Sequence, residues 1–230
     1  MKRLGKLLLL LVTAALLVTG YRVWRDWGLP EELIELRERY PETADFVADY
    51  RKEHDVEHVI DLSGEVEQGK MPLLLQWDKR WGYETYGSSM MAITGCGPTC
   101  LSMVLCGLTG DPQWDPLTVA AFSEGAGYYV PGAGTAWALM TDGAARLGIH
   151  GEAGAVSEDY LREKLAAGTP LICSMWPGDF TTSGHFILLT GLDEAGRVVL
   201  NDPNSPKNSE KAWDMAELLP QIRAVWQFWL

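Results

Sequence analysis

Four short segments carry side chains suited to acyl transfer through a thiol: Gln76 in LLLQWDKRWG, Cys96 in GCGPTC, His185 in SGHFILLTG and Asp202 in VVLNDPN. Gly95 and Gly97 flank Cys96, and Pro98 sits at a first-turn position, so the cysteine stands where a helix begins, expected from Cys96 to about Leu108. Unpaired amides and the helix dipole at that place favour the thiolate, the nucleophilic form. Cys100, Cys106 and Cys173 read as inert packing. His185 opens an apolar strand, a placement suited to a general base facing a cleft. Of the other histidines, His54 and His58 lie in the N-terminal segment and His150 in a Gly-rich turn. Asp202 ends the next strand, and a hairpin through Asp193-Glu194-Ala195-Gly196 sets the two strands side by side. A carboxylate there can fix the imidazole tautomer and stabilise the imidazolium. The Gln76 amide has donors that, with the Cys96 backbone N–H, can hold the oxyanion of acyl transfer.

These residues need a scaffold, and residues 73–230 offer one. Helices are expected from Cys96, near 116–124, 135–147 and 157–167, the last with Ser157 as N-cap and Gly168 as stop. Strand-like runs follow at 170–176, 185–192, 197–202 and 223–229. Helices first and strands later indicate an α+β domain. Ahead of it, PEELIELRERY and ADFVADYRK read as two short helices broken at Pro41-Glu42-Thr43, forming either a stalk or a packed flap. Residues 61–72 are polar, with Gly and Pro, and read as a linker.

The chain has 230 residues, 47% of them hydrophobic, which is enough for one well-buried domain plus an appendage. The first 27 residues hold five basic groups (Lys2, Arg3, Lys6, Arg22, Arg25) against Asp26, a net +4, so the rest carries −16 of the total −12. A body that acidic repels phosphate backbones, which argues against a nucleic-acid partner. Four cysteines are too few for a disulfide scaffold, and C-x3-C-x5-C on one helix lacks zinc-ligand spacing, so neither metal nor cofactor is expected. Gly64–Lys70 fits the start of a phosphate-binding loop. However, Met71 replaces the magnesium-binding Ser or Thr, no helix follows, and two glutamates sit inside the loop. The basic start and the uncharged run Leu7–Tyr21 read as a signal anchor over residues 1–28, or as a cleaved secretory signal. The positive-inside rule then places the body outside the cytoplasm.

The order Gln, Cys, His, Asp, with helices before sheet, is that of papain-like cysteine peptidases. More narrowly, QWD-x-RWG-x-x-x-YG, GCGPT, Gly134-Thr135-Ala136-Trp137, GHFILLTG and NDP resemble the bacteriocin-processing-peptidase-like branch of the papain clan, over about 73–230. The resemblance implies a papain-like α+β fold with an antiparallel sheet over 69–230, a stalk and linker over 29–68, and a membrane-anchored, extracytoplasmic cysteine peptidase acting on a peptide or protein substrate. It makes Cys96 the nucleophile, His185 the base, Asp202 the orienter and Gln76 the oxyanion donor. Processing peptidases of this type are usually fused to a transporter with an ATP-binding domain and cut after paired glycines on the cytoplasmic side. This chain has no such domain, so the double-glycine substrate is not carried over. The alternatives are a cell-wall amidase or transpeptidase on the same triad, and an inactive papain-like binding module. In the Gly-rich loop 125–134, Tyr128 and Tyr129 either border the cleft or pack down, and the segment 176–183 (WPGDFTTS), which begins at Trp176, is a candidate for the opposite wall.

Overall fold

The computed structural model describes residues 2–230; the side chains of residues 2–5, 7–9 and 22 lie outside the description, and with them the basic groups Lys2, Arg3 and Arg22 noted above. Helix α1 (Lys2–Asp26) comes first, followed by α2 (Glu31–Arg39) and α3 (Ala44–Glu53). The ribbon β1 (Thr85–Tyr86) and β2 (Ser89–Met90) leads into α4 (Met91–Thr94), α5 (Cys96–Thr109) and α6 (Pro116–Gly125). A second ribbon, β3 (Tyr129–Val130) with β4 (Gly134–Thr135), precedes α7 (Asp142–Arg146), β5 (His150–Ala153) and α8 (Glu158–Ala166). The C-terminal part holds β6 (Leu171–Met175), β7 (His185–Leu192), β8 (Val198–Asn201), α9 (Pro206–Glu210), α10 (Met215–Leu218) and β9 (Ile222–Trp229).

The large sheet is antiparallel throughout, in the order β5-β9-β6-β7-β8. Its central strand β6 is buried at all five positions, as a strand covered on both faces must be. Alternation divides its neighbours: Ile172, Phe186, Leu188, Trp226 and Phe228 join the core around α5, while Leu171, Cys173, Ile187, Leu189 and Val225 join the core under α8 and α10. Helix α5 is buried on all sides from Gly97 to Gly107, mostly through apolar side chains, and it stops at Gly110, where φ is 73°. The region 135–147, expected as one helix, is instead divided. Gly134 turns at φ 77°, a 3₁₀ turn covers Trp137–Met140, and the non-helical Thr141 separates it from α7.

The helices expected as a stalk or flap lie against the domain. Leu33, Leu36, Phe46 and Val47 share a core with Tyr83 and Ala92, and Phe46 stacks on Tyr83 with centroids 4.2 Å apart. The Tyr83 hydroxyl donates to Phe46 O at 2.6 Å, Lys79 pairs with Asp49 at 2.6 Å, and Ser205 donates to Glu42 at 2.7 Å. The segment 61–72 is also strapped down, with Leu62 buried, Gly69 N–H donating to Gly107 O at 2.7 Å and Asn201 Nδ2 donating to Pro72 O at 2.9 Å. By contrast, the described apolar side chains of α1, such as Leu10, Leu16 and Leu17, are exposed. Among the described residues no helix is long and apolar enough to cross a membrane.

Because Phe46 fills a shared core, Phe46→Ala should cost about 3–5 kcal/mol, the range for deleting a buried aromatic side chain. Chemical denaturation of the full chain measures this, and a loss under about 1 kcal/mol would mean that α3 only rests on the surface.

Candidate active site

Cys96 is the first residue of α5, directly after a short turn of helix that ends at Gly95. Both neighbouring glycines answer close approaches. A Cβ on Gly95 would meet Met91 O at 2.5 Å, and one on Gly97 would meet Thr135 Oγ1 at 2.6 Å. Thr135 cannot easily yield, because the buried Tyr86 hydroxyl bonds to both its Oγ1, at 2.9 Å, and Ser123 Oγ, at 2.8 Å. The Gly-Cys-Gly sequence thus lets the β4 ribbon and the preceding turn close around the start of the helix.

His185 begins β7, and the hairpin to β8 brings Asp202 to the same end of the sheet. The turn is made by Asp193, whose Oδ1 accepts from Ala195 N and Arg197 N, and by Gly196 at φ 75°. His185 Nε2 lies 2.7 Å from Asp202 Oδ1, and both residues are buried. Asp202 Oδ1 also accepts from Asn204 N at 2.9 Å, and Oδ2 from Asn208 Nδ2 at 2.8 Å. A fully buried carboxylate is tolerable only when satisfied in this way. With Nε2 taken by Asp202, Nδ1 is the ring nitrogen left to face Cys96, whose thiol is near enough to help raise the affinity of the imidazole for a proton.

Electrostatics follow from this geometry. Burial pulls the His185 pKa down, but the Asp202 charge and hydrogen bond, with the Cys96 thiol behind them, outweigh it and push it up to about 10. The other thiols are held protonated by burial: Cys106 rises to about 12, and Cys100 and Cys173 rise well above the ordinary range.

Gln76 sits on the same cleft and is tied to it at both ends. Its backbone N–H donates to Pro203 O at 2.8 Å, and its side-chain Nε2 donates to Ala92 O at 2.7 Å, in the turn before Cys96. That bond orients the amide, leaves one N–H of the same nitrogen free, and leaves Oε1 buried without a partner. Trp77 Nε1 donates to Asn204 O at 2.9 Å, and Trp81 is buried beneath the loop. The cleft onto which Gln76, Cys96 and His185 open has a volume of about 630 Å3; it is also lined by residues of α2, Ile93, Thr181–Gly184 and Asn204.

Tyr128, Tyr129 and Trp176 are not brought to this cleft. Tyr128 is buried and its hydroxyl donates to Asp142 Oδ2. Tyr129 bonds Ser88 Oγ at 2.8 Å and packs edge-on against Tyr86, with its ring over Gly87. Trp176 stacks on Arg223 at 4.5 Å. One wall comes instead from Thr181–Gly184, at the end of the segment 176–183 expected there, and the other from α2, which no motif in the sequence marks. Among the described residues, no group of three or more His, Cys, Asp or Glu is arranged to hold a metal ion.

Only Cys96 is both partly exposed and next to an imidazole, so iodoacetamide at neutral pH should modify it well ahead of Cys100, Cys106 and Cys173. Peptide mapping after brief alkylation of the folded chain reads this, and equal labelling of all four would remove the case for an activated thiol.

The match to known families agrees in extent with the fold around this cleft. The family described as Peptidase_C39 like matches residues 69–228, which holds Gln76, Cys96, His185 and Asp202 together. No curated protein matches the chain. The chain belongs to the Peptidase_C39 like family, a family of cysteine-type peptidases in the papain clan.

Proposed function

We propose that the chain is a cysteine peptidase in which Cys96 attacks the peptide carbonyl and His185 carries the proton. His185, whose affinity for a proton is raised, takes the proton of the Cys96 thiol. The thiolate adds to the carbonyl carbon. The resulting oxyanion takes hydrogen bonds from the remaining N–H of Gln76 and the Cys96 backbone N–H. His185 then protonates the leaving amine, a thioester forms on Cys96, and water activated by His185 hydrolyses it to release the acid and the free thiol. Asp202 holds the ring in register and balances the imidazolium charge. The observation that carries this reading is the buried His185–Asp202 pair on a cleft that His185 lines together with Cys96 and Gln76.

We also propose that residues 1–28 deliver this body across the membrane, as an anchor or as a cleaved signal, which makes it an exported relative of the processing peptidases. The basic start and the uncharged run Leu7–Tyr21 support this, as does the exposure of the described leucines of α1.

Kinetics of three variants on one peptide substrate test the roles. Cys96→Ala and His185→Ala should abolish turnover, and Gln76→Ala should lower kcat about 10²–10³-fold, as for a lost oxyanion donor. Turnover that survives Cys96→Ala would end the mechanism. An inert wild-type chain that still binds peptides would make it a binding module, and cleavage confined to wall peptides would make it an amidase.

The pH profile supplies a second check. The active form needs the imidazolium, so the alkaline limb of kcat/KM reports loss of the His185 proton. Asp202 raises the pKa of that group, so Asp202→Asn should move the limb to lower pH and reduce turnover. The loss should exceed that of a pure charge change, because one end of the new amide would present N–H to the Nδ2 donor of Asn208. An alkaline limb that stays in place would separate Asp202 from the titrating group.

A further inference from the structure

The α2 wall of the cleft is chemically one-sided. Glu32, Glu35 and Glu38 all line it, spaced three residues apart on one face of the helix. Glu32 accepts a hydrogen bond from Ser89 Oγ at 2.7 Å, and Glu35 is exposed and takes part in no ion pair among the described residues. Glu38 lies toward Arg25, whose guanidinium is already held by Asp26 at 2.7 and 2.9 Å. Outside the reacting pair of His185 and Cys96, the cation lining this cleft is Arg39, and its Nη1 donates to Thr182 Oγ1. The cleft therefore carries a net charge of about −2 beside the nucleophile.

An independent feature has the same polarity. Asn204 lines the same cleft with 7% of its surface exposed, and its Oδ1 has no hydrogen-bond partner. A buried acceptor without a donor is costly, so Asn204 is better satisfied by a ligand that brings N–H groups than by one that brings oxygens. Carboxylates at the wall and the unpartnered Asn204 oxygen beneath it call for donors.

We infer that this cleft selects peptides bearing a lysine or arginine side chain beside the scissile bond, with Glu32 and Glu35 holding the cation and Asn204 Oδ1 accepting from it. The inference rests on the peptidase reading for its reacting centre and adds the substrate class. It also gives α2 a role: the helix ahead of the catalytic body supplies the specificity wall, and Ser89 and the shared core around Leu33 and Leu36 hold it in place.

The test uses the full chain in detergent with four fluorogenic peptides that differ only at the residue flanking the cleaved bond: Lys, Arg, Gln or Glu. A library digest read by mass spectrometry fixes the bond first. The Lys and Arg peptides should exceed the Gln peptide in kcat/KM by about five- to tenfold, the range for one or two partly exposed charge pairs. The Glu peptide should be poorest, and added salt should narrow the spread. In Glu32→Gln/Glu35→Gln the Lys-to-Gln ratio should fall towards one, chiefly through KM, while thermal melting checks that the fold is retained. Equal rates on all four peptides would overturn the subsite and leave the peptidase intact, as would a Lys preference undiminished in the double variant. If no peptide is cleaved, anisotropy with the Cys96→Ala chain decides: tighter binding of the Lys peptide than of the Glu peptide upholds the subsite without the peptidase, and equal binding overturns it.

Discussion

The buried bond between His185 and Asp202 is the constraint around which the rest is arranged. A carboxylate with no exposed surface must be matched by donors, and here three converge on it: an imidazole, a backbone N–H and an asparagine amide. Each comes from a different requirement of the chain. The β7–β8 hairpin supplies the imidazole, the tight turn after Asp202 supplies Asn204 N–H, and the start of α9 supplies Asn208. Ser205 caps that helix by accepting from Asn208 N, and Ser209 Oγ in turn accepts from Asp202 N. Loss of either partner of the pair would leave the other buried and uncompensated, which costs far more than an exposed ion pair ever contributes.

Around this bond the molecule closes a ring. Asp202 holds His185, and His185 faces the Cys96 thiol. The turn before Cys96 accepts from Gln76, and Gln76 returns through its backbone to Pro203, the residue after Asp202. The α5 side and the sheet side of the domain are therefore joined at the site itself as well as through the apolar core. Preorganisation of this kind lets donors and charges act in the transition state without paying reorganisation at the moment of reaction.

Much of this was legible in the residues. Gly-Cys-Gly-Pro marked the start of α5, the apolar run after His185 marked β7, and Asp193–Gly196 marked the hairpin, because each is a local signal with its own stereochemistry. What escaped was long-range. Strand β5, His-Gly-Glu-Ala, has no apolar alternation and exists because β9 needs a partner along its outer edge. The single helix expected over 135–147 failed because Thr135 pairs in the β3–β4 ribbon and Thr141, at φ −121° and ψ −80°, leaves the helical region. Tyr128 and Tyr129 carried equal weight as packing or as cleft residues until their hydroxyls found Asp142 and Ser88. The position of α2 over the cleft was invisible, since a helix with a polar outer face does not say which neighbour receives its apolar one.

The link between α1 and the cleft also sets a distance. Four residues lie between Asp26 and the first residue of α2, an extended reach of at most about 18 Å over five Cα steps, and the Arg37–Asp26 pair at 2.6 Å removes most of that slack. The nucleophile is thus not on a long leash. If residues 1–28 hold the chain in a bilayer as proposed, its mouth faces a thin layer next to the lipid, and chains that already lie along that surface meet it by diffusion in two dimensions. Catalysis would then depend on the surface density of the target more than on its bulk concentration.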